Sequence, residues 1–474
     1  MNRPSLKLRS KQAGAFLICL TALSTLPLLA MDTSLADHGA INDGTTLNTA
    51  AMQSAIDAAA AGGGGILTIP QGTWLIGSVS LKSNVTLHLE PGAVLKGSPN
   101  IKDYPANGFY HIEFKETRSL LYAIGQHDIR ITGDGIIDLG GEAFFQWDKI
   151  NSALPPEKEA LLEPWQRAQC TVESFRRPNQ PIFFHDCQRV RIDGVKIRNA
   201  PCWTLSFSSS RDLQIRGVVI DNPQQAPNND GIHFSASKDI IISDCIIRTG
   251  DDALAFTCIT DAKEVCERIA VTNCTLSSRS AAIRLGHLYS KIRDVVISNI
   301  VIHNSNRGFA IQVAGGGWVE NVRIHDVILE TNIKAGAWWG KGEPFLISAV
   351  GVPNHPSAAG SQPGRIRNIQ ISHVSARADN SVVIVGQNRN VSDITIDDLD
   401  LTLRQSPNRS LYGGFLDIAP APLIENHLSE GRLPWLHAES VTGLTLRNIH
   451  FRQSPDQSTP LDLQPALKDV EQTP

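Results

Sequence analysis

With 474 residues, 43 Lys and Arg against 47 Asp and Glu, and a net charge of −4, the chain is too nearly neutral for charge to name a partner. It has no basic run or aromatic platform suited to nucleic acid, and beyond its N-terminus no apolar stretch approaches membrane-spanning length. Its length allows two ordinary domains, but the repeat described below grows along one axis and points to a single elongated one.

The first segment carries Arg3, Lys7, Arg9 and Lys11, then an apolar stretch from Ala13 to Ala30, with small residues at Ala30 and Ala36. This pattern predicts a secretory signal over 1–36, a single domain over 37–474, and a secreted or periplasmic protein with no membrane attachment after cleavage. Cys19 falls inside the signal. The seven remaining cysteines are an odd number, which does not suggest a complete disulfide framework. Cys245 and Cys274 read as small core hydrophobes, whereas Cys258 and Cys266, flanking a polar loop, are left open between a disulfide and two thiols.

After Asn42-Asp43-Gly44-Thr45-Thr46 comes a stretch from Thr49 to Ala61 with alanines and apolar residues at helical spacing, ended by Gly62 to Gly65. It predicts a short helix capping one end of a solenoid, which would otherwise leave core and strand edges open. Weak rungs follow at Val85-Leu87 and Ile129-Ile131. Then a four-residue apolar pattern sets in. Val190, Ile192, Val195 and Ile197 share their spacing with Leu213, Ile215, Val218, Ile220 and with Ile240, Ile242, Cys245, Ile247. Further copies start at Ile269, Val295, Val322, Ile369, Ile394 and Leu444, with two roughly doubled gaps. Each copy holds two short strands joined at a corner such as Asp193-Gly194 or Arg216-Gly217, so the reading is an all-β, parallel β-helix. Insertions are expected near 141–179, 330–364 and 403–439. The middle one carries Trp338, Trp339, Lys341 and Glu343, placed as a wall whose Trp339, Lys341 and Glu343 contact substrate.

The repeat turns sequence offsets into spatial neighbours about 4.8 Å apart. In the strand that follows each copy, Leu254 and Phe256, Ile283 and Leu285, and Phe309 and Ile311 face inward. Ala255, Arg284, Ala310 and His233 therefore share an outer column. Just before this strand lie Asn228-Asn229-Asp230 on one rung and Gly250-Asp251-Asp252 on the next, so three carboxyl groups converge on one face. Crowded carboxyls suit glycosidic hydrolysis with inversion, because their repulsion keeps one protonated as an acid while another activates water. Asn228, His233, Arg284 and His287 are the neighbouring substrate-binding candidates.

Asn228-Asn229-Asp230-Gly231 and Thr249-Gly250-Asp251-Asp252 resemble the Asn-Thr-Asp and Gly-Asp-Asp motifs of glycoside hydrolase family 28, the polygalacturonases. Asn42 to Thr46, Gly62 to Gly65 with Pro70, Gly72 and Thr73, Gly133-Asp134-Gly135 with Ile137-Asp138, Arg177-Pro178 and Pro201-Cys202-Trp203 extend the resemblance. It implies a right-handed β-helix, no cofactor or metal, and hydrolysis with inversion. Asp251 would be the general acid, and Asp230 with Asp252 would hold and activate the water. Two departures stand out. Ser280-Ala281-Ala282 replaces the family's Gly-His-Gly, and Gly308-Phe309-Ala310-Ile311-Gln312 lacks the cations of its Arg-Ile-Lys motif, so galacturonate would lose hydration without an ionic partner.

The expected substrate is a pectic or related acidic polysaccharide or its oligosaccharides, attacked from a chain end. Two other readings use the same scaffold: a polysaccharide lyase, with the three aspartates on Ca²⁺ and Arg284 as base, and a carbohydrate-binding β-helix without activity.

Overall fold

The computed structural model describes Met1 and residues 32–151, 169–172, 176–259, 264–334, 340–351, 362–404, 433–455 and 463–473. The sequence repeat becomes a right-handed parallel β-helix with three faces. On the first face, Gln188–Asp193, Arg211–Arg216 and Lys238–Ser243 pair in parallel, and the repeat positions meet in register: Val190 against Leu213, Leu213 against Ile240, Ile240 against Ile269. The second face stacks Lys196–Arg198, Val219–Asp221 and Ile246–Thr249. The third stacks Leu205–Ser208, Ile232–Ser235, Leu254–Thr257, Ala281–Leu285 and Arg307–Gln312.

The corner between the first two faces needs a left-handed residue on every rung. Gly194 and Gly217 supply it at φ 77° and 61°; Asp244, Asn273, Asn299 and Asp326 take the same conformation later. Inside, alternate residues pack into one continuous core. Its regularity is visible in the stack of Phe184, Phe207, Phe234 and Phe256, whose ring centroids lie 5.1, 5.0 and 5.1 Å apart. That is the strand spacing repeated by side chains. Cys245 and Cys274 are buried in this core as expected.

The single α-helix among the described residues is Thr49–Ala61, as the spacing predicted, and it buries Met52, Ala55, Ile56 and Ala59. The boundary drawn at Ala36 needs correction. Thr33–Ser34 pairs in parallel with the Gly65–Ile69 strand, Asp32 accepts a hydrogen bond from the Ile66 amide, and Leu35 is fully buried in the core. Residues 32–36 therefore belong to the folded unit, and residues 2–31 of the expected signal lie outside the described residues. Cys258 and Cys266 are two buried free thiols, which closes the question of a disulfide between them.

The doubled gaps also change meaning. Phe345–Ser348 lies inside the 330–364 insertion as an ordinary third-face strand, and Leu436–Gln453 begins inside 403–439. Each gap is one rung with an enlarged corner. Apart from residues 349–364, which separate the third-face strand Phe345–Ser348 from the first-face start of Arg365–Ala378, the enlargements leave at the same corner, between the second and third faces. They lie between Ile136–Asp138 and Ile182–His185, between Trp318–Thr331 and Phe345–Ser348, and between Val391–Leu403 and Leu436–Gln453. A fourth, which the sequence reading missed, separates Ala93–Gly97 from Leu121–Ile124 and folds into a hairpin of Ala106–His111 with Lys115–Arg118. Between these excursions the corner is short, shrinking to Asn306 alone between Lys291–Ser305 and Arg307–Gln312. The short corners line a groove floor of six strands, roughly 24 Å long.

Candidate active site

Asp230, Asp251 and Asp252 sit at these short corners, immediately before the third-face strands. Backbone hydrogen bonds lock the two rungs together: the Gly231 amide donates to the Asp252 carbonyl (2.9 Å) and the Ile232 amide to that of Ala253 (3.0 Å). Asn229 closes the turn, its Oδ1 accepting from the amides of Gly250 (2.7 Å) and Asp251 (3.1 Å). A Cβ at Gly250 would come within 2.2 Å of the Ala226 carbonyl oxygen, which explains the glycine ahead of the paired aspartates. The three carboxyls, His233, Arg284 and His287 line one open hollow of about 520 Å³.

Each carboxyl has a different setting. Asp252 is ion-paired with Arg284, and its Oδ1 accepts from the Ser280 hydroxyl (2.7 Å) and the Ala281 amide (2.9 Å). Arg284 and Asp252 are each less than a tenth exposed, so this pair is held away from solvent. Asp251 is buried; burial and the charges of Asp230 and Asp252 hold its carboxyl well above the usual range. Asp230 is raised as well, first by burial and then by Asp252, with Arg284 opposing. Its Oδ2 lies 2.9 Å from His233 Nδ1, while its Oδ1 is buried without a hydrogen-bond partner among the described residues.

His233 is itself fixed on both sides. Nε2 lies 3.0 Å from Thr257 Oγ1, and the ring stacks on Trp203 at 3.8 Å and 15°. Burial pushes its pKa down to about 3, so the imidazole is neutral and steadies Asp230 without adding charge. Asn228 borders the hollow, and its Oδ1 accepts from the buried Arg177, which also donates to the Pro201 and Pro227 carbonyls. His287 Nδ1 lies 3.5 Å from Arg284 Nη1.

Two expected substrate contacts end elsewhere. Glu343 is fully buried and paired with Arg307 at 3.3 Å, and also accepts from the Lys341 amide at 2.7 Å. Lys341 is buried too, and its carbonyl accepts from Asn380. Both brace the enlarged corner from within, which corrects their assignment as sugar ligands. The charge pattern Lys-Gly-Glu on a long loop looked exposed because Arg307, the buried partner, sits in a strand far away in sequence. Trp338 and Trp339 lie outside the described residues.

The sequence reading also passed over Glu113, at the tip of the missed hairpin, and gave no role to Thr257 or Ile259; all three line the hollow. The one signal for the hairpin was the long interval between the rungs at Val85 and Ile129.

A family model described as "Glycosyl hydrolases family 28" matches residues 66–411, and the chain belongs to that family. It is 30% identical over 346 residues to a probable polygalacturonase of Vitis vinifera, covering 67% of this chain and 64% of the relative. It is also 30% identical over 333 residues to an exo-poly-alpha-D-galacturonosidase of Dickeya chrysanthemi, covering 63% and 55%. The chain thus spans less than two thirds of either relative. Its fold matches an exopolygalacturonase from Thermotoga maritima with a TM-score of 0.61, at 24% identity, over 79% of this chain and 87% of that one.

Proposed function

We propose that the protein is a secreted or periplasmic glycoside hydrolase that cleaves pectic polysaccharides or their oligosaccharides with inversion, working from a chain end. The observation that carries this reading is the convergence of Asp230, Asp251 and Asp252 in one hollow with unequal surroundings. Asp230 and Asp251, both held above the usual carboxylate range, titrate together. Asp252 stays against the guanidinium of Arg284 and Asp230 against His233, whereas Asp251 is held up by burial and by the charges of both neighbours, so the last proton is assigned to Asp251. Asp251 then protonates the glycosidic oxygen as the bond to the anomeric carbon breaks. Water attacks that carbon from the opposite face and gives its proton to Asp230, whose Oδ1 is the unpartnered acceptor. One water is consumed, and the proton taken up replaces the one donated.

Attack at a chain end is supported by the enlarged corners on both sides of the short-corner rungs. A groove bounded at each end receives a terminus or a short oligosaccharide and obstructs a polymer passing through. Among the described residues no helix is long and apolar enough to cross a membrane. The lyase alternative requires Arg284 as a base, and a guanidinium held against Asp252 is poorly placed to lose a proton. Proton NMR of the first-formed anomer, with chromatography of early products, tests the proposal. The expected result is an inverted anomer, mono- or disaccharide from the first minutes, and activity that persists in chelator. A retained anomer, an unsaturated product or an early ladder of long oligosaccharides would refute it.

A further inference from the structure

The hairpin Ala106–His111/Lys115–Arg118 is built as a rigid arm that reaches the hollow. At its tip, the buried His111 accepts from the amides of Glu113 (3.2 Å) and Phe114 (3.4 Å) through Nδ1. Burial holds this imidazole neutral, with its pKa pushed down to about 3, and only a neutral ring can offer that lone pair. Phe114 and His111 both pack edge-on against Trp203, with centroids 5.1 Å away, and Trp203 in turn stacks on His233. At the base, Asn179 holds the second strand of the arm, donating to the Glu116 carbonyl (2.6 Å) and accepting from the Arg118 amide (3.1 Å). The arm is therefore tied by aromatic contacts to the residue that steadies Asp230.

This arrangement presents one side chain without a structural task. Glu113 lines the hollow with Asp230, Asp251, Asp252 and Arg284, remains exposed, and forms no side-chain hydrogen bond or ion pair with a described residue. Its charge is felt across the hollow: it raises Asp230, while desolvation beside the hollow holds its own carboxyl above the usual range, with Arg284 opposing. Among the described residues the lining then holds four carboxyl groups against one guanidinium, which Asp252 already engages. On the facing strand, the residue in register with Arg284 is Ala310.

We propose that Glu113 is a specificity-determining residue that accepts hydrogen bonds from the hydroxyls of a neutral sugar ring and excludes a uronate from the subsite beside Asp230. The assignment rests on the hydrolase reading and narrows it: the substrate is a pectic chain or oligosaccharide that places a neutral residue in this subsite, with any acidic residues beyond it. A carboxylate meeting a second carboxylate in a partly enclosed hollow is repelled and loses hydration, whereas sugar hydroxyls are natural donors to it. Because the arm is held before substrate arrives, little ordering is required on binding.

The test compares wild type with Glu113→Gln, which keeps shape and removes charge at an exposed position. The probes are oligogalacturonates and the same oligomers with carboxyl groups reduced to hydroxymethyl, identical in linkage and differing only in charge. Above neutral pH, wild type should favour the reduced oligomers, and Glu113→Gln should raise kcat/KM on the acidic ones at least about tenfold relative to the reduced ones. Calorimetric binding of both probes to the same two proteins separates this assignment from the hydrolase reading. If neither probe is cleaved but Glu113→Gln still strengthens binding of the acidic probe about tenfold relative to the reduced one, the specificity role holds and the reaction is wrong. An unchanged acidic-to-neutral ratio in both measurements, wild-type preference for the acidic oligomers, or failure of either probe to bind would overturn the proposal.

Discussion

Arginine–carboxylate pairs occur in two regions of this molecule, and they do opposite things. Along the corner between the third and first faces they form exposed rungs. Arg189 holds Asp128 through two bonds of 2.7 Å, and Arg268 holds Asp239 at 2.6 and 2.9 Å. These side chains are 37 to 48% exposed, and such pairs contribute about 0–1 kcal/mol. Along the corner between the second and third faces, Arg284–Asp252 and Arg307–Glu343 are buried. There the desolvation of each charge is large, and the partner is indispensable. Identical chemistry is a solvated trim at one corner and a determinant of site geometry at the other.

The largest effect expected from this contrast is at Arg307. Its guanidinium is fully buried between Glu343 and Gln312, and Glu343 in turn accepts from the Lys341 amide in the enlarged corner. Arg307→Ala should leave Glu343 buried and unpaired, at a cost of about 3–5 kcal/mol. Thermal denaturation should show a lower Tm, and limited proteolysis should cut near 340–344 before the rest of the solenoid. A loss under about 1 kcal/mol would erase the distinction between the two corners.

Next is Asp251→Asn, which reads chemistry and stability together. Turnover should fall at least about a hundredfold, the usual scale for removing a general acid, with the circular dichroism spectrum unchanged. Stability should move the other way. Asp251 has a folded-state pKa above its unfolded value, so its contribution is fully present below the unfolded pKa and is lost as pH rises through the folded one. Wild type should thus gain stability on mild acidification. The amide carries no charge to bury, and Asn Oδ1 can still accept from the Asp252 amide as Asp251 Oδ1 does at 2.9 Å. The variant should melt about 2 °C or more above wild type at neutral pH and show a flatter acid profile. Turnover within a factor of about three of wild type would remove Asp251 as the acid.

How much of this was legible in the chain follows from range. The rungs and the aspartate column could be read because a solenoid makes neighbours of residues at a fixed offset, as the register of Val190, Leu213 and Ile240 shows. The helix Thr49–Ala61 was equally local. What escaped was carried by excursions that break the offset. Glu113 reaches the hollow on a hairpin more than a hundred residues before Asp230, anchored by contacts to Trp203 that no period announces. Glu343 looked like a surface charge because its partner is thirty-six residues away. Leu35 fell inside an apparent signal because a single apolar residue after Ala30 carries no sign of the core it enters.

The smallest effect expected is at Arg268, where the exposed corner can be tested on its own terms. Arg268 pairs with Asp239 and also with Glu267, whose side chain is only 8% exposed. Glu267 keeps a second partner when Arg268 is removed, because Arg293 Nε donates to it at 2.7 Å. Arg268→Ala should therefore cost about 1 kcal/mol or less, the range for an exposed pair. The pH dependence has the opposite sign to that of Asp251. Hydrogen bonding to Arg268 holds Asp239 below the usual carboxylate range, so its contribution is present above the unfolded pKa and is lost as pH falls through the folded one. The difference between wild type and Arg268→Ala should shrink on acidification, and also in concentrated salt, where the screening length drops to about 3 Å at 1 M. Thermal melts across pH and salt read both trends. A difference above about 2 kcal/mol, or one that persists unchanged in acid and salt, would mean that the exposed corner holds the solenoid together as firmly as Arg307 holds the wall of the groove.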